Sequence, residues 1–317
     1  MEHSLLTSNS DSSSQGDTTL ERAFARSGHS IPDESIAARN RGVELFGRSF
    51  ELSLVPSRAD RSGIPGRRAA FRTSAGPRIR AEEGFWSDGH LVATPNRFPF
   101  LGRSFLLWNA HGSEREVGAS FLARAFELCD AENLCLLANT VGASASIPLA
   151  HAHVTWTPRP LLYRAGTALD SDPASTGWPT RVVAMSNLGS IRATTGDDDW
   201  PCMAVEVRAP DPRVRAAWIA ALLATRTTAA ANLLVAGERA LVVPRRAECG
   251  LESFPLPIGA SELSGRWIFA DEFLFENAIA PGDGGLEASL RAACVPTTAT
   301  ELEGVTELAV SLVDASV

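Results

Sequence analysis

Two stretches of this chain set a helical repeat of apolar residues between pairs of strand-like segments, and that recurrence restricts the fold most. In the first stretch, HLVAT (90–94) and RSFLLW (103–108) read as strands joined by a Pro-containing turn. SEREVGASFLARAFELCDAE then reads as a helix capped by Ser113, because Val117, Phe121, Leu122, Ala125, Phe126 and Leu128 keep helical spacing. LCLLA (134–138) and LAHAHVTW (149–156) follow as strands, separated by the turn NTVGASASIP. In the second stretch VVAM and CMAVEVRA read as strands. DPRVRAAWIAALLATRTTAAA (211–231) is a helix with Asp211 as cap and Pro212 in the first turn, and NLLVAGERALVVP (232–244) is a hairpin turning at Ala-Gly. SGRWIFA (264–270) reads as a strand, and LEASLRAAC and TELEGVTELAVSLVDA as helices.

The fold class expected is therefore α+β: two related halves sharing an antiparallel sheet, with helices packed on it. No sequence repeat accompanies the pattern. Residues 1–40, rich in Ser, Asp and Arg, read as a flexible tail, 41–163 as the first half and 164–317 as the second. VELFGRSFELSLV (43–55) alternates as a strand or hairpin, and the Arg/Gly/Pro-rich PSRADRSGIPGRRAAFRTSAGPRIR reads as loop.

Composition excludes several chemistries. All 29 basic residues are arginine, against 37 acidic ones, for a net charge of −8. Without lysine there is no P-loop, no Schiff base and no lysine-linked nucleotidyl intermediate. An acidic chain with scattered arginines is a poor partner for nucleic acid. The five cysteines form no C-x-x-C pair, so neither a zinc knuckle nor a disulfide framework is expected, and reduced thiols are the default. The N-terminus lacks a basic start followed by an apolar stretch, and the apolar run Ala216 to Ala224 is shorter than the roughly 20 residues a membrane helix requires. A cytoplasmic protein with no membrane partner is expected.

His151 and His153 stand at i and i+2, so on a strand they share one face. Before them runs a turn carrying Gly142, Ser144 and Ser146, whose small side chains let backbone N–H groups approach an anion. A neutral imidazole facing a bound phosphate is a nucleophile able to form a phosphoramidate. Two strand histidines packed on their neighbours is the plainer alternative.

NTVGASASIPLAHAHVTW resembles the signature of the histidine-triad superfamily, and most of all its GDP-hexose phosphorylase branch, to which the GDP-L-galactose phosphorylases belong. That branch carries N-x-x-G-A-x-A-(S/T)-(I/V)-N-H-x-H-x-(Q/H). Aligned without gaps, Asn139, Gly142, Ala143, Ala145, Ser146 and Ile147 match. Leu149 then falls on the first histidine, His151 on the nucleophile and His153 on the third position. With two inserted residues, His151 becomes the first histidine and His153 the nucleophile. The resemblance spans roughly residues 45–310, through FELSLVPSR with Arg58, PNRFPFLGRSFLLWNAHG with Asn96, NLLVAGERALVVPRR, and IGASELSGRWIFADEFLFENA with Glu262 to Gly265.

The resemblance implies a HIT-like (GalT-like) fold and a site of the galactose-1-phosphate uridylyltransferase type. His151 would attack the α-phosphorus of a nucleoside diphosphate sugar such as a GDP-hexose. Sugar 1-phosphate would leave, and phosphate or another acceptor would take the nucleotidyl group. His153 would donate to a phosphate oxygen. Asn139, Gly142, Ser144, Ser146, Arg58 and Asn96 would bind substrate or phosphate, with no metal and no cofactor. The partners implied are a small-molecule nucleotide or nucleotide sugar and phosphate, with the chain a monomer or homodimer. Leu149 leaves two other readings open: a non-catalytic nucleotide-binding protein, or a hydrolase of nucleotidyl phosphoramidates or nucleotide sugars. His90 and His111 read as surface or core residues, and Arg67, Arg68 and the run Asp197 to Asp199 as solvated surface.

Overall fold

The computed structural model describes residues 19–27, 37–61, 75–96, 99, 103–145, 147, 149–156, 163–164, 178, 180–194, 200–224, 230–279 and 284–315. Ten strands form one sheet. They are β3 (Trp86–Ser87), β4 (Leu91–Pro95), β5 (Ser104–Asn109), β6 (Cys135–Asn139) and β7 (His151–Thr155) from the first half. From the second come β9 (Thr180–Ser186), β10 (Gly189–Thr194), β11 (Val205–Arg208), β12 (Ala230–Ala236) and β13 (Arg239–Arg245). The spatial order is β3-β4-β5-β7-β6-β12-β13-β11-β10-β9, with every neighbouring pair antiparallel. Helix α3 (Ala119–Ala131) joins β5 to β6, and α4 (Pro212–Ala224) joins β11 to β12. The two halves thus wind identically, 3-4-5-7-6 and 9-10-11-13-12, and meet where β6 pairs with β12, Asn139 opposite Asn232.

The two faces of the sheet are covered differently. On one, α1 (Thr19–Arg26), α3, α4 and α8 (Ala299–Asp314) bury the side chains that alternate inward, among them Phe105, Leu136, Ala152, Val154, Val207 and Leu233. On the other lies a smaller sheet of β1 (Arg39–Leu45), β2 (Arg48–Leu54), β14 (Arg266–Phe269) and the two-residue β8 (Tyr163–Arg164). With α5 (Ala260–Leu263), α6 (Glu272–Glu276) and α7 (Leu286–Ala293) it encloses a second core around Leu52, Leu234, Leu241, Trp267 and Phe269. Each large side chain removed from water there contributes about 1.5–3 kcal/mol. Because β14 pairs in parallel with β2, the C-terminal half completes a sheet begun by residues 48–54, and the two halves interlock.

Several local expectations shift. Within the expected tail, Thr19–Arg26 is a helix that buries Leu20 and Phe24, with the Phe24 ring 5.1 Å from Trp156. Within the expected loop, Pro56–Arg61 is a 3-10 turn and Ala75–Glu83 a helix, α2. Helix α3 starts at Gly118 instead of Ser113, because the Glu114 carbonyl accepts Ala150 N and ties that segment to the approach of β7. Helix α4 ends by Ala224, and Ala230 and Ala231 already belong to β12, whose backbone pairs with Arg245 and Pro244.

Candidate active site

Alternation along β7 separates its side chains by face. Ala152 and Val154 enter the helix-covered core, while His151 and His153 point to the other side. His151 lies opposite Trp108 of β5, and His153 between Leu106 of β5 and Leu137 of β6. The His151 ring stacks on Trp108, centroids 5.4 Å apart, and the Trp108 Nε1 donates to Thr94 Oγ1 at 2.8 Å.

The His151 Nδ1 is 2.7 Å from the Leu149 carbonyl oxygen. A carbonyl only accepts, so Nδ1 carries the hydrogen and Nε2 is left with its lone pair. Burial pushes the His151 pKa below its ordinary value, against the smaller opposite pull of that carbonyl. At neutral pH the ring is an uncharged base with a fixed tautomer.

His153 takes the complementary form. The Asn96 side-chain nitrogen lies 3.3 Å from its Nδ1, so the amide donates, Nδ1 accepts and Nε2 carries the hydrogen. The two imidazoles are 5.5 Å apart. One ring therefore offers a lone pair and its neighbour a donor.

The turn between β6 and β7 folds back on itself, with Ala143 N donating to the Thr140 carbonyl. Gly142 (φ +87°) and Ser144 (φ +70°) both adopt the left-handed conformation. Alternation of that kind turns successive N–H groups toward one side, a concavity suited to an anion. The Ser144 hydroxyl is buried without a hydrogen-bond partner among the described residues. Ser146 lies outside the described residues.

Asn139, expected on substrate, is hydrogen-bonded within the protein. Its Oδ1 accepts from Asn232 Nδ2 (2.8 Å) and from Ala260 N (2.9 Å), and its Nδ2 reaches the Ser144 carbonyl at 3.5 Å. Asn232 also donates to the Ala143 carbonyl at 2.8 Å, and its own oxygen accepts from the buried Arg245 at 2.8 Å. The second half thereby holds the 140–144 turn of the first. Sequence reasoning missed Asn232 and Arg245. The available signal was a polar residue at each end of an otherwise apolar hairpin, which must be paired when buried.

Arg58, in the turn after β2, donates to the Pro99 carbonyl, in the same β4–β5 connection that carries Asn96. Burial lowers its pKa, offset in part by Glu262. Glu262 accepts from Gly259 N (2.8 Å) and Ser261 Oγ (2.7 Å). Burial pushes its carboxyl up, against those hydrogen bonds and Arg245. Asn96 thus touches His153 directly, while Arg58 reaches the same connection through Pro99 and Glu262 acts on Arg58 through its charge. His90 and His111 are exposed, and Arg67, Arg68 and Asp197 to Asp199 lie outside the described residues. Among the described residues no His/Cys/Asp/Glu cluster is arranged to hold a metal ion, and no helix is long and apolar enough to cross a membrane.

No protein-family model and no curated protein matches this sequence. Solved structures match its fold. Yeast Ap4A phosphorylase Apa2 in complex with Ap4A matches with a TM-score of 0.61 at 15% identity, over 89% of this chain and 99% of that one. The same yeast protein in complex with AMP gives 0.61 at 14% identity, over 88% and 97%. A further structure of it gives 0.59 at 15% identity, over 89% and 96%. The chain has the HIT-like, GalT-like α+β fold of that protein.

Proposed function

We propose that the protein is a nucleotidyl transferase that works through a covalent nucleotidyl-histidine, with His151 as nucleophile. The observation that carries this reading is the bond from His151 Nδ1 to the Leu149 carbonyl. It aims the Nε2 lone pair away from the strand and fixes a neutral ring. It also favours the ungapped reading of the motif. The orienting group is a main-chain oxygen, so replacing the first triad histidine by leucine leaves it in place.

His151 Nε2 attacks the α-phosphorus of a nucleoside diphosphate sugar, of which a GDP-hexose is the first candidate. The bond from that phosphorus to the bridging oxygen breaks, and sugar 1-phosphate leaves. The imidazolium then carries the nucleotidyl group on Nε2 and still donates from Nδ1 to Leu149 O, whose dipole stabilises its charge. Phosphate attacks the same phosphorus, releasing a nucleoside diphosphate and the neutral histidine. His153 Nε2–H and the N–H groups of Gly142 and Ser144 would meet the charge that develops on the phosphoryl oxygens, an effect worth a few kcal/mol. Arg58 supplies the cation.

A second substrate class, the dinucleoside polyphosphates, is favoured by the fold shared with a yeast Ap4A phosphorylase. The same attack would then expel a nucleoside polyphosphate. The test is a panel of nucleotide sugars and dinucleoside polyphosphates, each with and without phosphate, read by mass spectrometry. Phosphate-dependent release of sugar 1-phosphate supports the first class, and phosphate-dependent nucleoside diphosphate from Ap4A the second. Phosphate-independent cleavage would make the protein a hydrolase. Thermal stabilisation by nucleotide without turnover would make it a binding protein.

A further inference from the structure

A second pair of reactive side chains lies in the core between the two sheets. Cys202, three residues before β11, and Cys294, which ends α7, are 92 residues apart and fully buried, with Sγ atoms 2.6 Å apart. The main chain holds them there. Met203 N donates to the Val295 carbonyl at 2.7 Å, Cys294 N bonds Leu290 O at 3.0 Å, and Cys294 bridges to Arg245. Those bonds fix the main chain on both sides of the pair.

Their surroundings differ. Burial pushes the Cys294 thiol up, but the S–H of Cys202 and the Arg245 guanidinium outweigh it and hold Cys294 below its ordinary value. Burial, together with the bond it donates to Cys294, raises Cys202 well above. Of the two, Cys294 is the more readily deprotonated.

We propose that Cys202 and Cys294 are a disulfide-forming pair, closed by hydrogen peroxide while the protein stays folded. The Cys294 thiolate attacks one peroxide oxygen, the O–O bond breaks, and Cys294 becomes a sulfenic acid with loss of hydroxide. The Cys202 sulfur then attacks the Cys294 sulfur. The S–O bond breaks, and the Cys202 proton leaves with the oxygen as water. In total two thiols are oxidised by two electrons and one peroxide is reduced to two waters.

The missing lysines make the test direct. Cleavage after arginine isolates Cys202 in residues 193–208 and Cys294 in residues 292–317, apart from the other three cysteines. The whole protein is treated with hydrogen peroxide, alkylated while unfolded, digested and mapped by mass spectrometry. The expected product is one cross-linked species of these two peptides, lighter than their sum by two hydrogens and split by dithiothreitol, with Cys129, Cys135 and Cys249 alkylated. Separate alkylated or sulfinic peptides, or Cys202 linked to another cysteine, would overturn the proposal. Cys202→Ser provides a second reading: Cys294 should then be trapped by dimedone as a sulfenic acid, and its absence in folded variant would refute the assignment of roles. If that variant does not fold, the wild-type map decides alone.

Discussion

His151 donates from Nδ1 to the carbonyl of Leu149, two residues earlier and just outside the strand, at 2.7 Å. The imidazole is thus oriented by main chain, and the side chain at 149 serves packing. Leu149 is buried beside Leu106 and Trp108, with Cδ1 so close to Gly76 of α2 that a Cβ there would lie 2.2 Å from it. Leu149→Ala should keep kcat within about tenfold while lowering stability by about 2–5 kcal/mol. His151→Ala should cost about three orders of magnitude in kcat or more. Steady-state kinetics on folded variants, with denaturant melts, separates the two. A Leu149→Ala enzyme as inactive as His151→Ala would assign the orienting role to the side chain.

The pH profile follows from the same burial. The folded pKa of His151 lies below 6.5, its value when unfolded. Below 6.5 the unfolded chain binds a proton that the folded ring refuses. This group's contribution to stability therefore rises with pH through the window up to 6.5 and is constant above it. The kcat/KM profile should rise with a midpoint below 6.5 and be flat at neutral pH. A midpoint above 6.5 would mean that a different group titrates.

The scaffold around Asn139 makes a separate prediction. Asn139→Ala leaves Asn232 Nδ2 and Ala260 N each short of an acceptor in a buried region. It should cost about 1–3 kcal/mol per unpaired group and loosen the 140–144 turn. Faster hydrogen exchange confined to that turn, together with a raised KM for phosphate, is the expected signature. Unchanged exchange there would detach Asn139 from the anion site.

The Ser144 hydroxyl is buried without a hydrogen-bond partner among the described residues, and in the proposed site it would donate to a phosphate oxygen. Ser144→Ala should weaken nucleotide binding by about 1 kcal/mol, read as a rise in Kd by calorimetry. Ser144→Gly should add back stability, since glycine fits φ +70° without strain. Equal affinity in wild type and Ser144→Ala would remove Ser144 from the site.

Much of the fold could be read from pattern. The strands at 90–94, 103–108, 134–138, 149–156 and 264–270 and the last two helices are stretches where side-chain period and burial agree. Helix α2 escaped because AGPRIRAEE has no apolar stripe, and β10 because GSIRAT is short and half polar. Helix α1 was hidden by polar neighbours, although Leu20 and Phe24 sit one turn apart. Within the site, the histidines and the glycine/serine turn were visible in sequence. The task of Asn139 was not, since its partners Asn232 and Ala260 are 93 and 121 residues away. Pairing across a two-fold related sheet leaves no local mark.

Away from the site, Glu206 holds the second half together. Its fully buried carboxylate meets Arg239 at 2.5 Å, Arg208 at 2.8 Å, Arg192 at 3.3 Å and Thr180 Oγ1 at 2.6 Å. Burial pushes its pKa up, but Arg239 and the other donors outweigh it, so the folded value lies below the ordinary 4.5. Its stabilisation is present above 4.5 and is lost as pH falls through the lower folded value. Glu206→Gln leaves the arginines facing one another and should cost about 3–5 kcal/mol, with activity per folded molecule unchanged.

The central claim is a covalent nucleotidyl-histidine on His151. The most direct measurement incubates the protein with a turned-over nucleotide substrate in the absence of phosphate, quenches at alkaline pH and maps the modified peptide by fragment-ion mass spectrometry. The expected product is one nucleotidyl group, acid-labile as a phosphoramidate, on His151 and discharged by added phosphate. A nucleotidyl group on His153, or turnover with no adduct on either histidine, would contradict it.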